Sequence, residues 1–254
     1  VLRYDDRGVG KSTGNFATST SADFANDVKS AIDYLKTLPQ IDKDRLGLIG
    51  HSEGGMIAPM VAADRKEIKY MVLLAGPGIP IVDLMRLHVE AISKENLSTA
   101  AAQLSADIFV LTAKEINKSK DSLTTFKNVE SKLNALYKTV DKTILEEMEL
   151  TTDSAQKDLI KEQIASMSTT WFKYFIGFDP TAYLQKTTAK VLAINGSKDV
   201  QVFPTENLNG IEKALKKSKS PSYTTAEVEG LNHLFQTCKT CKTGEYAQLE
   251  ETFS

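Results

Sequence analysis

Leu46-Gly47-Leu48-Ile49-Gly50-His51-Ser52-Glu53-Gly54-Gly55 is an apolar run that enters a G-x-S-x-G pattern and leaves through Met56-Ile57-Ala58. A short apolar run bounded by glycine reads as a buried strand, and the small-residue segment after it reads as a helix. Ser52 is then expected at a tight strand-to-helix corner that projects its hydroxyl above a sheet. Gly50 and Gly54 flank that corner, and Ser52 is the candidate nucleophile.

Outward from the corner, residues 1–4 read as a short strand, followed by a polar, glycine-containing run over 5–15 that does not suit regular structure. Phe24, Val28, Ile32 and Leu35 recur at helical spacing, so 21–38 is expected to be a helix stopped by Pro39. Residues 70–75 form another apolar strand, ending in Gly76-Pro77-Gly78. Strand and helix in alternation give a mainly parallel sheet covered by helices.

The grammar changes after residue 78. Between 81 and 174 glycine is nearly absent, while Leu84, Leu87 and His88, then Ile108, Leu111 and Ile116, keep helical spacing. Leu133, Leu136 and Tyr137, and later Ile160, Ile164 and Met167, continue it. Residues 79–180 are therefore expected to be an all-helical insertion, read as a cap. The sheet grammar returns with a strand at 190–194, a helix at 208–217 and a strand at 223–228, so 1–78 and 181–254 form the α/β core.

Composition narrows the function classes. The 254 residues are 41% hydrophobic and 25% charged with a formal net charge of −2, which gives no basic footprint for nucleic acid. No apolar run is long enough to span a bilayer. The two cysteines, Cys238 and Cys241, supply only half of a structural zinc site and read as incidental thiols near a surface loop, with a local disulfide or redox pair as the alternative. Gly10-Lys11-Ser12 imitates the tail of a phosphate loop, yet Asp5 stands where that pattern needs glycine and adds negative charge.

A serine hydroxyl becomes a useful nucleophile only when a base takes its proton and a third group orients the base. There are three histidines. The side chain of His51 is expected to point away from the site and His88 falls in the insertion, which leaves His233, just beyond the last strand. Asp199 ends the Asn195-Gly196-Ser197-Lys198-Asp199 loop after another strand, and parallel strands deliver such loops to one rim. Glu206, Glu227 and Glu229 are the alternative carboxylates. The backbone N–H of Glu53 is the expected oxyanion donor, and no second donor is visible before Ser52.

These motifs resemble the α/β-hydrolase superfamily, more narrowly the bacterial acyl-hydrolase and serine-aminopeptidase-like branch with a helical lid. Asp5-Asp6-Arg7-Gly8-Val9-Gly10-Lys11-Ser12 is similar to the D-x-R-G-x-G-x-S loop after the fourth strand of that fold. Gly50 to Gly54 resembles its nucleophile elbow, and Gly230-Leu231-Asn232-His233 its histidine loop. The resemblance implies ester hydrolysis through an acyl-enzyme on Ser52, Asp199 and His233, with a small-molecule ester substrate and no metal or organic cofactor. The same triad serves an aminopeptidase or amidase, and an inactive binding protein of this fold is the remaining alternative.

It implies further that Arg7 braces the loop near the rim and that Trp171, Phe172, Tyr174, Phe175 and Phe178 line a substrate pocket or join cap to core. A chain opening at the fourth strand is expected to lack strands one to three, and with them the second oxyanion donor. Residues 246–253 read as the start of the final covering helix. On this reading residues 1–254 alone are expected to fold poorly and turn over little. A missing N-terminal segment of the same protein completes the fold, and the resembling proteins suggest the bacterial periplasm or secretion.

Overall fold

The structure, a computed structural model, describes residues 1–118 and 121–254. It divides into two compact units, Val1–Leu84 with Asp179–Ser254, and Met85–Phe178. In chain order, α1 (Ser21–Thr37), β1 (Leu46–His51), α2 (Glu53–Asp64) and β2 (Ile68–Leu74) build the first half of the first unit. The chain then runs through α3 (Ile81–Ser93), α4 (Thr99–Lys118), α5 (Ser122–Tyr137), α6 (Lys142–Glu147), α7 (Asp153–Met167) and α8 (Thr170–Ile176). It returns with α9 (Thr181–Leu184), β3 (Lys190–Gly196), α10 (Pro204–Leu215) and β4 (Tyr223–Val228).

The four strands pair in the order β1-β2-β3-β4, all parallel. Parallel neighbours need crossovers, and here each crossover contains helix, which then covers the sheet it has left. α2 packs on β1 and β2, and α10 on β3 and β4. In register, Met71 pairs with Val191 and Leu73 with Ala193, and all four are buried. Met56, Val61 and Ile211 complete this core, fully buried side chains each contributing about 1.5–3 kcal/mol. The opposite face leaves Ile49 71%, Tyr70 44% and Leu192 39% exposed.

α1 starts on a capping box in which Thr20 and Asp23 each bond the other's backbone N–H. Its Phe24, Ala25 and Ile32 are buried, in the phase the sequence predicts. In the second unit, Ile108 of α4, Leu133 of α5 and Ile160 of α7 are fully buried, and the buried Glu115 is paired with Lys118 and Lys132 at 3.2 and 2.5 Å. Among the described residues no helix is long and apolar enough to cross a membrane.

Three local expectations need correction. Residues 1–4 do not form a strand: they are exposed and enter no ladder among the described residues, and an extended segment without a partner gains none of the bonds that define a strand. Residues 246–253 are not an α-helix. A 3-10 helix at Thr243–Gln248 is followed by irregular chain, because the Glu245 carboxylate draws in the amides of Lys239, Thr240 and Cys241 and fixes a tight turn instead. Cys238 and Cys241 are bonded to each other as a disulfide inside that turn.

The whole is a mixed α/β fold with a parallel four-stranded sheet covered by helices, consistent with a reduced α/β-hydrolase core plus a helical insertion.

Candidate active site

Ser52 is the first residue after β1, and its backbone lies at φ 53° and ψ −116°. A side chain with a Cβ disfavours that region, so the conformation persists only where neighbours impose it, at a cost of order 1–3 kcal/mol. The neighbours are specific. Ser52 N–H donates to the Leu74 carbonyl at 2.8 Å, and Ser52 C=O accepts from Gly55 N–H at 2.9 Å as α2 begins. The Glu53 amide stands in the first turn of that helix, where the helix dipole is positive, and the Glu53 carboxylate accepts from the buried Ser21 hydroxyl at 2.6 Å. That bond ties the corner to α1.

The two glycines of the motif are not equivalent. A Cβ on Gly50 would fall 2.1 Å from the Gly54 carbonyl oxygen, whereas a Cβ on Gly54 meets nothing within 4 Å. Gly50→Ala is expected to destabilise by about 1–3 kcal/mol or more, because backbone must move to admit the methyl group. Gly54→Ala is expected to be neutral or up to about 1 kcal/mol stabilising through helix propensity. Urea midpoints of the two variants check this, and equal shifts would contradict it.

Asp199 and His233 come from loops after β3 and β4. Strand spacing of about 4.8 Å puts β4 roughly 14 Å from β1, so the loop after β4 must travel back across the strand ends to meet the elbow. Contacts with the β3 loop start it on that path. Lys198 N–H donates to the Leu231 carbonyl at 2.9 Å, Gly230 N–H donates to Ser197 Oγ at 2.9 Å, and Gly196 lies so close beneath that a Cβ there would sit 2.1 Å from Leu231 O. The buried Asn232 then folds the turn on itself, its Oδ1 accepting from Leu234 and Gln236 N–H at 2.9 and 3.0 Å.

The result is a buried pair. His233 Nδ1 is 2.8 Å from Asp199 Oδ2, and the two residues are 4% and 3% exposed. Asp199 Oδ1 accepts from the backbone N–H of Gln201 and Val202 at 2.8 and 2.9 Å. A carboxylate engaged by two amide donors on one oxygen presents an acceptor on the other, so Nδ1 carries the proton of the neutral imidazole and Nε2 keeps its lone pair. Glu206, Glu227 and Glu229 do not take this place.

His51 does not point away. The β1 alternation puts it on the face of Gly47 and Ile49, and the loop after β4 reaches it from that side. His51 Nε2 donates to the His233 carbonyl oxygen at 2.8 Å, and the two rings lie 4.8 Å apart between centroids. Burial pulls the His51 pKa below its ordinary value, against the hydrogen bond to the His233 carbonyl, which acts to raise it. Among the described residues no hydrogen bond joins the Ser52 hydroxyl to His233. The structure joins Asp199 and His233 directly, and the neighbour of Ser52 in sequence, His51, bonds the His233 backbone.

Arg7 grips α1: its Nε and Nη2 donate to the two Asp27 carboxylate oxygens, each at 2.6 Å, and Nη2 also donates to the Asp23 carbonyl at 3.0 Å. Asp5 closes its own loop, accepting from Lys11 N–H at 2.9 Å. Trp171, Phe172, Tyr174 and Phe175 lie on α8 in the second unit. There Trp171 stacks on Phe175 at 4.8 Å and Phe172 meets Phe109 edge-on at 6.3 Å. What the structure shows of these aromatics is their contact with one another and with neighbours in their own unit.

Sequence reasoning missed Tyr246, whose phenol is pushed up in pKa by burial, with the Asp199 charge acting in the same direction. No sequence signal marks it. Among the described residues no group of three or more His, Cys, Asp or Glu side chains is placed to hold a metal ion.

With this geometry in place, the comparisons with known proteins add the following. The family described as BAAT / Acyl-CoA thioester hydrolase C terminal matches residues 28–145, a stretch that includes Ser52 and ends before Asp199 and His233. No curated protein matches the sequence. Among solved structures, the chain is similar to a Mycobacterium tuberculosis puromycin-hydrolyzing peptidase, at 15% identity and TM-score 0.41 over 82% of this chain and 22% of that one. A Pyrococcus horikoshii acylaminoacyl peptidase gives 13% identity and TM-score 0.40 over 84% and 23%. A Nitrososphaera gargenis carboxylesterase structure gives 19% and 0.46 over 91% and 71%. The chain thus spans less than a quarter of the length of the two peptidases. At these TM-scores the likenesses carry no weight for the site, which stands on its own geometry.

Proposed function

We propose that the protein is a serine hydrolase that cleaves carboxylic ester bonds through an acyl-enzyme on Ser52. The observations that carry this reading are the buried Asp199–His233 pair, its carboxylate oriented by two backbone amides, and a serine held at φ 53° in a strand-to-helix corner. Asp199 fixes the Nδ1–H tautomer, so Nε2 is the acceptor for the Ser52 proton. On this reading the Ser52–His233 hydrogen bond forms as substrate binds, since catalytic hydrogen bonds are often unmade without it.

In the forward reaction Ser52 Oγ attacks the ester carbonyl carbon while its proton moves to His233 Nε2. The carbonyl oxygen becomes an oxyanion facing the Glu53 amide at the start of α2. The imidazolium, stabilised by Asp199, gives its proton to the leaving alcohol as the C–O bond breaks. Water, deprotonated by the same nitrogen, then attacks the acyl-enzyme and releases the acid, returning the proton to Ser52.

The second oxyanion donor belongs to this reading too. Among the described residues β1 is an edge strand, and this reading places that donor on a segment pairing there. One missing donor of this type costs about 2.7–4 kcal/mol of transition-state stabilisation.

The test is a series of p-nitrophenyl esters of increasing acyl length, run beside acyl-CoA thioesters and aminoacyl-anilides. Ester turnover well above anilide turnover is the expected result. Turnover confined to aminoacyl-anilides would replace the ester assignment with a peptidase one, and turnover confined to thioesters would move it to the class named in the family match.

A further inference from the structure

The loop that carries His233 is anchored toward β3, toward β1 and, beyond His233, toward the C-terminal segment, where Gln236 Nε2 donates to the Glu251 carbonyl at 2.7 Å and Ser254 N–H to the Phe235 carbonyl at 2.9 Å. Toward β3 it is held by the Lys198–Leu231 and Ser197–Gly230 bonds and by Asp199 itself. Toward β1 it is held by His51, whose Nε2–H reaches the His233 carbonyl at 2.8 Å while its ring lies 4.8 Å from the His233 ring and 6.2 Å from Phe235. A carbonyl oxygen only accepts, so the one proton of a neutral His51 sits on Nε2.

We propose that His51 is a positioning residue for the reaction: through this single bond it holds the His233 backbone against the elbow, and so sets the reach from His233 Nε2 to the Ser52 hydroxyl. The inference rests on the serine-hydrolase reading above. His51 directly precedes the nucleophile, so the bond links the two catalytic loops at adjacent residues. Loss of the bond leaves His233 bonded to Asp199 and the acid–base pair intact, but frees the loop on its β1 side. A misplacement of about 1 Å at a reacting group costs on the order of 100-fold in rate.

Three variants separate positioning from bulk packing. His51→Gln keeps an N–H at the position of Nε2, His51→Asn presents one a bond too short, and His51→Leu has none. In the full protein, with Tm as the measure of folding, kcat on a p-nitrophenyl ester and the rate of Ser52 modification by a fluorophosphonate are expected to fall about 10- to 100-fold together in His51→Leu and His51→Asn, with KM changed less than about threefold. His51→Gln is expected to restore both rates to within about fivefold of the original.

Should His51→Leu fail to fold, the contrast between the Gln and Asn variants decides the matter. Original rates in either the Leu or the Asn variant would overturn the proposal, as would a folded His51→Gln no better than the other two. If the unaltered protein is not modified at Ser52 at all, it is the serine-hydrolase reading that fails, and this inference falls with it.

Discussion

Ser52→Ala is expected to lower kcat for ester hydrolysis by about a million-fold, the scale found when a triad nucleophile is removed. The loss should be specific to chemistry. The Ser52 side chain makes no capping bond at the start of α2, and alanine keeps the Cβ that already occupies the φ 53° conformation. Stability is therefore expected to stay within about 0.5 kcal/mol of the original. Steady-state rates on a short p-nitrophenyl ester, with a urea denaturation curve beside them, check both parts. Turnover within tenfold of the original would remove Ser52 from the mechanism.

Asp199→Asn is the second large effect, about 10⁴-fold in kcat, and the structure gives the reason. Two backbone amides, of Gln201 and Val202, donate to the Oδ1 position. In the asparagine variant they select the amide oxygen for that place, which turns the NH₂ group toward His233 Nδ1. The imidazole must then accept at Nδ1 and carry its proton on Nε2, where it cannot take one from Ser52. The geometry is kept while the tautomer is wrong, so KM is expected to change little. A drop of less than about tenfold would show that another group orients the base.

Much of this site is legible in the sequence because it depends on patterns that sequence carries. The apolar run 46–51, the glycines around Ser52 and the strand-then-turn signals at 190–199 and 223–233 fix which loops reach the rim of a parallel sheet. From that point Asp199 and His233 stand in loops after strands, with Glu206, Glu227 and Glu229 as alternative carboxylates, and the structure pairs Asp199 with His233. The helices of residues 81–176 were legible for the same reason, since their apolar spacing is local.

What was not legible depends on partners. Residues 1–4 have the composition of a strand, but a strand is a property of two segments, and the ladder is missing among the described residues. Glu245 organises the chain ahead of it by capturing three amides, while the helix over 246–253 is expected only from the resemblance. The direction of His51 follows from alternation along β1, yet its meaning follows from where a loop some 180 residues later returns.

The account stands or falls on whether Ser52 is an activated nucleophile. Treatment of the protein with a fluorophosphonate, followed by trypsin digestion and tandem mass spectrometry, tests this directly. The predicted result is a single adduct on the peptide spanning residues 46–65, localised to Ser52 and formed far more slowly in Asp199→Asn. An unmodified peptide under conditions that inactivate other serine hydrolases, or an adduct on a different residue, would contradict it.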